Sequence, residues 1–395
     1  MSSLKRVLVA LIGTVALILA GCSAQDGDVR TITVVSNVAE GSFDSKALVY
    51  MGDAIEEASD GRLKFEYHFS ESLVGAAETS QALADGIADM SFILPVYEPA
   101  KFPISNWAAS LATVGTPTAP AGLIATAGAQ AEWASELDEL QAEYEDAGLK
   151  LLLNPQTLPS YNLLCTSPVT TLAEAEGKRV RVGGSAWAED AKALGMVPVQ
   201  LTGGEMYEAL QRGTIDCVMV HPEAMVSASL WDVAKHYTSV PLTGWNAYFV
   251  AVGGDFWESL SEEDKEAFDV GTSAWLEGYF KYYQEDTLAF FEGAVDQGVT
   301  IHDPADDMLD AVEEHHEKVR ADLIANAPEQ LSDPAAAVDR RVELDEEHYA
   351  MVSTELGLEE YASFDEWLQD SGGELLDLTE WITWLQGRFL EVTDD

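Results

Sequence analysis

The hydrophobic pattern changes period repeatedly along the chain, and each change predicts an element. Thr31-Ile32-Thr33-Val34-Val35 is β-branched and apolar on both faces, as in a buried strand. Lys46 to Ser59 has helical spacing that stops at Asp60-Gly61, a turn signal. Leu63 to Phe69 alternates as a second strand, Gly75 to Asp85 reads as a helix, and Met90 to Leu94 as a third strand. Strand-helix alternation of this kind implies parallel pairing and an α/β lobe.

The same order returns downstream. Gly177 to Val182 predicts a strand, Ala186 to Leu194 a helix, Val197 to Gln200 a short strand, Glu205 to Gln211 a helix and Cys217 to His221 a strand. Ala82-Leu83-Ala84-Asp85-Gly86-Ile87-Ala88-Asp89 and Ala209-Leu210-Gln211-Arg212-Gly213-Thr214-Ile215-Asp216 share one spacing: Ala-Leu, two residues, Gly, two residues, Asp, then an apolar strand. The glycine suits the position just past a helix, and the aspartate is expected to bond backbone amides of the turn that follows. Two similar lobes explain the recurrence. After a strand from Tyr248 to Val252, Ser261 and Asp264 form a capping box. Apolar positions at Phe268, Trp275, Leu276, Tyr279, Phe280, Tyr283, Leu288, Phe291 and Val295 then extend one helix over 261–297. At roughly 55 Å it is long enough to cross both lobes. The expected organisation is residues 31–155 with 245–300 as the first lobe and bridging helix, 156–244 as the second, and 301–395 as a helical region with an acidic exterior.

The amino terminus adds a location. Lys5 and Arg6 precede the apolar run Val7 to Ala20, which ends in Leu19-Ala20-Gly21-Cys22. This is a secretory signal over residues 1–21, and its end resembles the lipobox of bacterial lipoproteins. Cys22 is then expected to be acylated and to hold the protein outside the cytoplasm on the cell membrane, with 22–30 as a polar tether. A net charge of −48, with acids spread along the whole chain, excludes nucleic acid and anionic bilayer surfaces as partners and suits a salt-adapted soluble surface. Cys165 and Cys217 lie in apolar, strand-like settings, where buried free thiols are expected, and no Cys/His spacing indicates a metal. No nucleophile elbow, zinc-protease helix, phosphate loop or dinucleotide fingerprint is present, so neither an enzyme nor a cofactor is expected.

The ordered motifs resemble those of the solute-binding subunit, dicarboxylate-binding type, of tripartite ATP-independent periplasmic (TRAP) transporters. Ser59-Asp60-Gly61-Arg62-Leu63, Ala82 to Met90, Gly177-Lys178-Arg179-Val180-Arg181-Val182, Gly195-Met196-Val197-Pro198-Val199 and Glu205 to Asp216 carry the resemblance. It implies two α/β lobes around a cleft, an organic acid held between them, and delivery to a small and a large membrane permease subunit. Arg181 aligns with the family's carboxylate-binding arginine, whose planar fork of donors matches a carboxylate as lysine cannot. Arg179 is expected at the surface. The chain departs from the pattern in having no arginine in Ser160 to Thr166, and Gly253-Gly254-Asp255 where an asparagine is common. Polar support is expected instead from Asn162, Asn246, His221 or Glu223. Glu223 reads functionally, as a ligand contact or, with a substrate oxygen, as a cation ligand for which a single carboxylate is thin evidence, or equally as a cap of the next helix. Tyr97, Trp187, Trp245 and Tyr248 stand at strand ends, where open α/β sheets bind ligands. A binding lipoprotein of an ATP-driven importer, or a sensor, is the alternative reading.

Overall fold

The computed structural model describes residues 29–115, 120–154, 161–244, 249–358, 361, 364–371 and 376–392. In chain order its strands are β1 (Arg30–Val35), β2 (Leu63–His68), β3 (Met90–Ile93), β4 (Leu149–Leu153), β5 (Asn162–Cys165) and β6 (Arg179–Val182). They continue as β7 (Val197–Gln200), β8 (Cys217–Val220), β9 (His236–Thr238), β10 (Phe249–Gly253) and β11 (Thr300–His302). One sheet has the order β2-β1-β3-β10-β4 and the other β11-β9-β5-β8-β6-β7. Helices pack against both, giving two α/β lobes.

The repeat seen in the sequence is a repeat of topology. β2-β1-β3 and β7-β6-β8 are both parallel trios. Each is extended by an antiparallel strand that follows a passage between lobes, β10 beside β3 and β5 beside β8. Gly86 and Gly213 take left-handed φ values of 68° and 66°, as their position past a helix requires. The aspartates act differently from the expectation. Asp89 Oδ2 accepts from the Thr33 amide of β1 at 2.7 Å, and Asp216 Oδ2 from the Arg179 amide of β6 at 2.9 Å. Each ties a neighbouring strand to the turn rather than closing the turn itself.

The helix Glu262–Ala294 begins where Ser261 Oγ accepts from the Asp264 amide at 3.2 Å. Its 33 residues span roughly 50 Å. Phe268 meets Phe256 of the first lobe at 6.1 Å between ring centroids, and Phe290 meets Tyr237 of β9 at 5.3 Å, so the helix does cross both lobes. Gly278 permits its close approach to the helix Phe43–Ala58, because a Cβ there would lie 2.9 Å from Tyr50. Val295 falls past its end and is exposed. The chain then adds β11 parallel to β9, a strand too short for its own periodicity to announce.

Cys165 and Cys217 form a disulfide, which corrects the expectation of free thiols. They are direct partners in the antiparallel β5–β8 register, with Cα atoms 4.1 Å apart. Each cysteine's own surroundings are those of a core residue, and only the register reveals the pair.

The carboxy-terminal region wraps the first lobe. The helix Pro334–Glu355 lies along Ala121–Glu136, whose alanine- and glycine-rich sequence is buried nearly all round. Trp133 Nε1 donates to Ala337 O at 2.8 Å, and Trp381 is fully buried with its ring 5.7 Å from Phe280 of the long helix. Arg341, wholly buried, donates to Gln130 Oε1 at 3.0 Å and pairs with Asp345 at 3.4 Å. Glu132 receives Arg388 and, at 2.9 Å, His348. Burial alone would raise the Glu132 carboxyl, but hydrogen bonds from His348 and Arg388 outweigh it and hold the pKa at about 2. Among the described residues no helix is long and apolar enough to cross a membrane.

Replacing both Cys165 and Cys217 with alanine should lower the unfolding free energy by about 2 to 4 kcal/mol, read from urea titrations. A carboxyl depressed in the folded state contributes stability above its unfolded pKa of about 4.3 and loses it as the pH falls towards the folded value. Glu132→Gln should therefore flatten the fall in unfolding free energy between roughly pH 4.5 and 2, by on the order of 3 kcal/mol.

Candidate functional site

Arg179 and Arg181 share a face of β6 but meet different surroundings. Arg179, near the strand's start, forms a two-point pair with Asp216 at 2.8 and 3.0 Å at the surface. Arg181, towards the carboxyl end, is only 3% exposed. Its Nε donates to Leu201 O at 3.0 Å, just past β7. The Tyr97 hydroxyl hydrogen-bonds the guanidinium and also accepts from the Gly203 amide. Tyr97 follows β3 of the first lobe, whereas Arg181 and Gly203 belong to the second, so this contact joins the lobes. Burial raises the Tyr97 pKa, against the opposing pull of the Arg181 charge and the Gly203 bond. Among the described residues, no carboxylate forms an ion pair with Arg181.

Aromatic rings meet beside it. Extending the β5–β8 register past Asn162 and Val220 puts Tyr161 next to His221, with ring centroids 5.4 Å apart. Tyr161 stacks on Trp187 at 5.4 Å, and Phe43, at the start of a first-lobe helix, reaches His221 at 5.6 Å. Burial raises the Tyr161 pKa well above its usual value; Arg181 lowers it, and Tyr97 and Asp44 add to the rise. Burial and the Arg181 charge push the His221 imidazole down.

Glu223 stands in the first turn of the helix Pro222–Ser227, yet it does not cap it. One carboxylate oxygen abuts His221 Nδ1, but neither oxygen has a hydrogen-bond partner. Asn162 donates to Val240 O at 3.0 Å, holding the segment that crosses between lobes. Trp187 is fully buried, donates to Thr243 O at 3.0 Å and backs Tyr161. Trp245, Asn246, Tyr248 and Cys22 lie outside the described residues. Tyr161, Phe43 and Asp44 were not among the expected site residues. Asp44 is 4% exposed with Oδ1 unpartnered, and burial, with Asp286 adding to it, raises its carboxyl pKa well above the usual range. An acid in a helix's first turn ordinarily reads as a partner for the helix dipole, which hides Asp44 in the sequence. Among the described residues, no group of three or more His, Cys, Asp or Glu side chains is placed to hold a metal ion.

A buried guanidinium with no carboxylate ion pair among the described residues, flanked by hydroxyl and aromatic groups from two lobes, can bind a carboxylate in a shielded setting. The family model for bacterial extracellular solute-binding protein, family 7 (DctP), matches residues 34–326. The ectoine-binding periplasmic protein TeaA of Halomonas elongata is 29% identical over 194 residues, 47% of this chain and 55% of TeaA, so the match spans little more than half of that relative. Among solved structures, a TRAP solute-binding protein from a marine metagenome, specific for pyroglutamate, is similar with a TM-score of 0.67 and 22% identity. That likeness covers 80% of this chain and 99% of the other. A TRAP periplasmic solute-binding protein from Bordetella bronchiseptica with bound mandelate gives the same TM-score, identity and coverage.

Tyr97→Phe removes the hydroxyl that links the lobes at Arg181. It should cost about 1 kcal/mol of unfolding free energy in urea, the worth of one net hydrogen bond.

Proposed function

The chain belongs to the bacterial extracellular solute-binding proteins of family 7, a family of receptors rather than enzymes, and we propose that it captures an organic acid and hands it to the membrane subunits of a TRAP-type transporter. The observation that carries this reading is Arg181: withdrawn from water, bonded to Leu201 O and Tyr97, and without an acidic partner among the described residues. In a chain with 69 acids and 21 Lys and Arg residues, a cation kept apart from carboxylates is a selective arrangement. A ligand carboxylate would take the guanidinium's remaining donors in a two-point bond, strengthened by the low local dielectric. Tyr161, Phe43 and His221 would supply the walls, and Tyr97 would couple occupancy to apposition of the lobes. The names of similar proteins support an acid ligand, since pyroglutamate and mandelate are carboxylates.

The finer location rests on sequence. Lys5 and Arg6, the apolar run to Ala20 and the Leu19-Ala20-Gly21-Cys22 end support export and lipid attachment at Cys22. Tethering would keep the receptor near its permease.

Thermal-shift screening against organic acids should find a ligand, and saturation at about 100 times Kd would stabilise the protein by roughly 2.7 kcal/mol. Arg181→Ala should abolish the shift, and Arg181→Lys should weaken binding roughly tenfold or more by removing the planar fork. An Arg181→Ala protein that stays folded by circular dichroism and responds like the wild type would exclude Arg181 from the site.

A further inference from the structure

The site holds buried carboxyl oxygens that its own donors leave unsatisfied. Glu223 is 2% exposed, and neither of its oxygens has a hydrogen-bond partner. Asp44 is also buried with Oδ1 unpartnered, and the charged group acting on it is Asp286, another acid. Lys46, two residues on, is paired with Asp286 at 2.6 Å. Buried polar oxygens are nearly always hydrogen-bonded in folded proteins, and a buried carboxylate lacking a donor is strongly disfavoured. Both acids border the aromatic cluster beside Arg181: Glu223 through His221, and Asp44 through its electrostatic influence on Tyr161. A ligand bearing only a carboxylate would satisfy Arg181 and leave both acids without donors.

We propose that the captured acid is a zwitterion, with its carboxylate on Arg181 and a protonated nitrogen directed to Glu223 and Asp44. This rests on the reading of Arg181 as the carboxylate anchor. A cationic nitrogen provides the missing donors, balances charge within the cleft, and is attracted to the faces of neighbouring rings. The arrangement also discriminates. A ligand without the cation would leave the acids orphaned, whereas a cation without the carboxylate would forgo Arg181.

The test uses the full chain and a library of matched pairs: proline against cyclopentanecarboxylate, pipecolate against cyclohexanecarboxylate, and a tetrahydropyrimidine carboxylate against its cyclohexene analogue. Calorimetric titration should show the cationic member of a binding pair favoured roughly tenfold or more. Glu223→Gln and Asp44→Asn should each erode that preference while leaving the anionic member's affinity unchanged or improved. With no ligand present, neither variant should melt below the wild type, because each replaces a buried acid that lacks hydrogen-bond donors. Equal or tighter binding of the anionic members by the wild type would overturn the proposal. So would an unchanged preference in both variants, or loss of binding on adding a chelator, which would put a metal ion at the acids. Arg181→Ala should lose both members of every pair. Retention of binding by that variant, or silence across the whole library, would instead remove the carboxylate anchor on which the proposal rests.

Discussion

A guanidinium withdrawn from water and, among the described residues, paired with no carboxylate is the constraint around which the lobes are arranged. Burying such a charge is tenable only if fixed dipoles replace its hydration. Leu201 O supplies one from the second lobe, and the Tyr97 hydroxyl supplies another from the first. Both come from loops at strand ends, where side chains can converge without breaking a sheet ladder. The long helix Glu262–Ala294, buried against Phe92 in one lobe and Tyr237 in the other, holds these loops opposite one another. The positioning and the electrostatics of the site therefore rest on the same frame.

Much of this frame was legible in the sequence, because repeats and helical periodicity are local properties. The Ala-Leu…Gly…Asp spacing identified two equivalent units, and the apolar positions between Phe268 and Phe291 identified the crossing helix. Features that depend on a neighbouring strand were not legible. Asp89 and Asp216 bond across to β1 and β6 rather than within their turns, and Cys165 meets Cys217 only through the β5–β8 register. The three residues of β11 are too few to carry a period. In the site, Arg181, Tyr97, His221 and Glu223 stand near one another on strand ends and the turns that follow them. Asn162 and Trp187 bond to the backbone of the crossing segment. Asp44 and Tyr161 went unnoticed because an acid beginning a helix and a tyrosine leading into a strand are commonplace.

The region beyond residue 326 lies past the stretch matched by the family model. Its role in the fold follows from the helix Ala121–Glu136, which has too few polar side chains to face water and is covered by Pro334–Glu355 and Trp381. Three of the chain's scarce cations, Arg340, Arg341 and Arg388, sit at this junction against Glu132, Glu136, Asp345 and Glu347. Opposite charges placed there offset the self-repulsion of a strongly acidic molecule at the point where an added layer must adhere.

Tyr161 and His221 each lie four residues from a cysteine of the Cys165–Cys217 bridge, along strands that run in opposite directions. A slip of one position between those strands would turn the two rings to opposite faces of the sheet. The bridge works as a covalent index mark, setting which rings stand abreast.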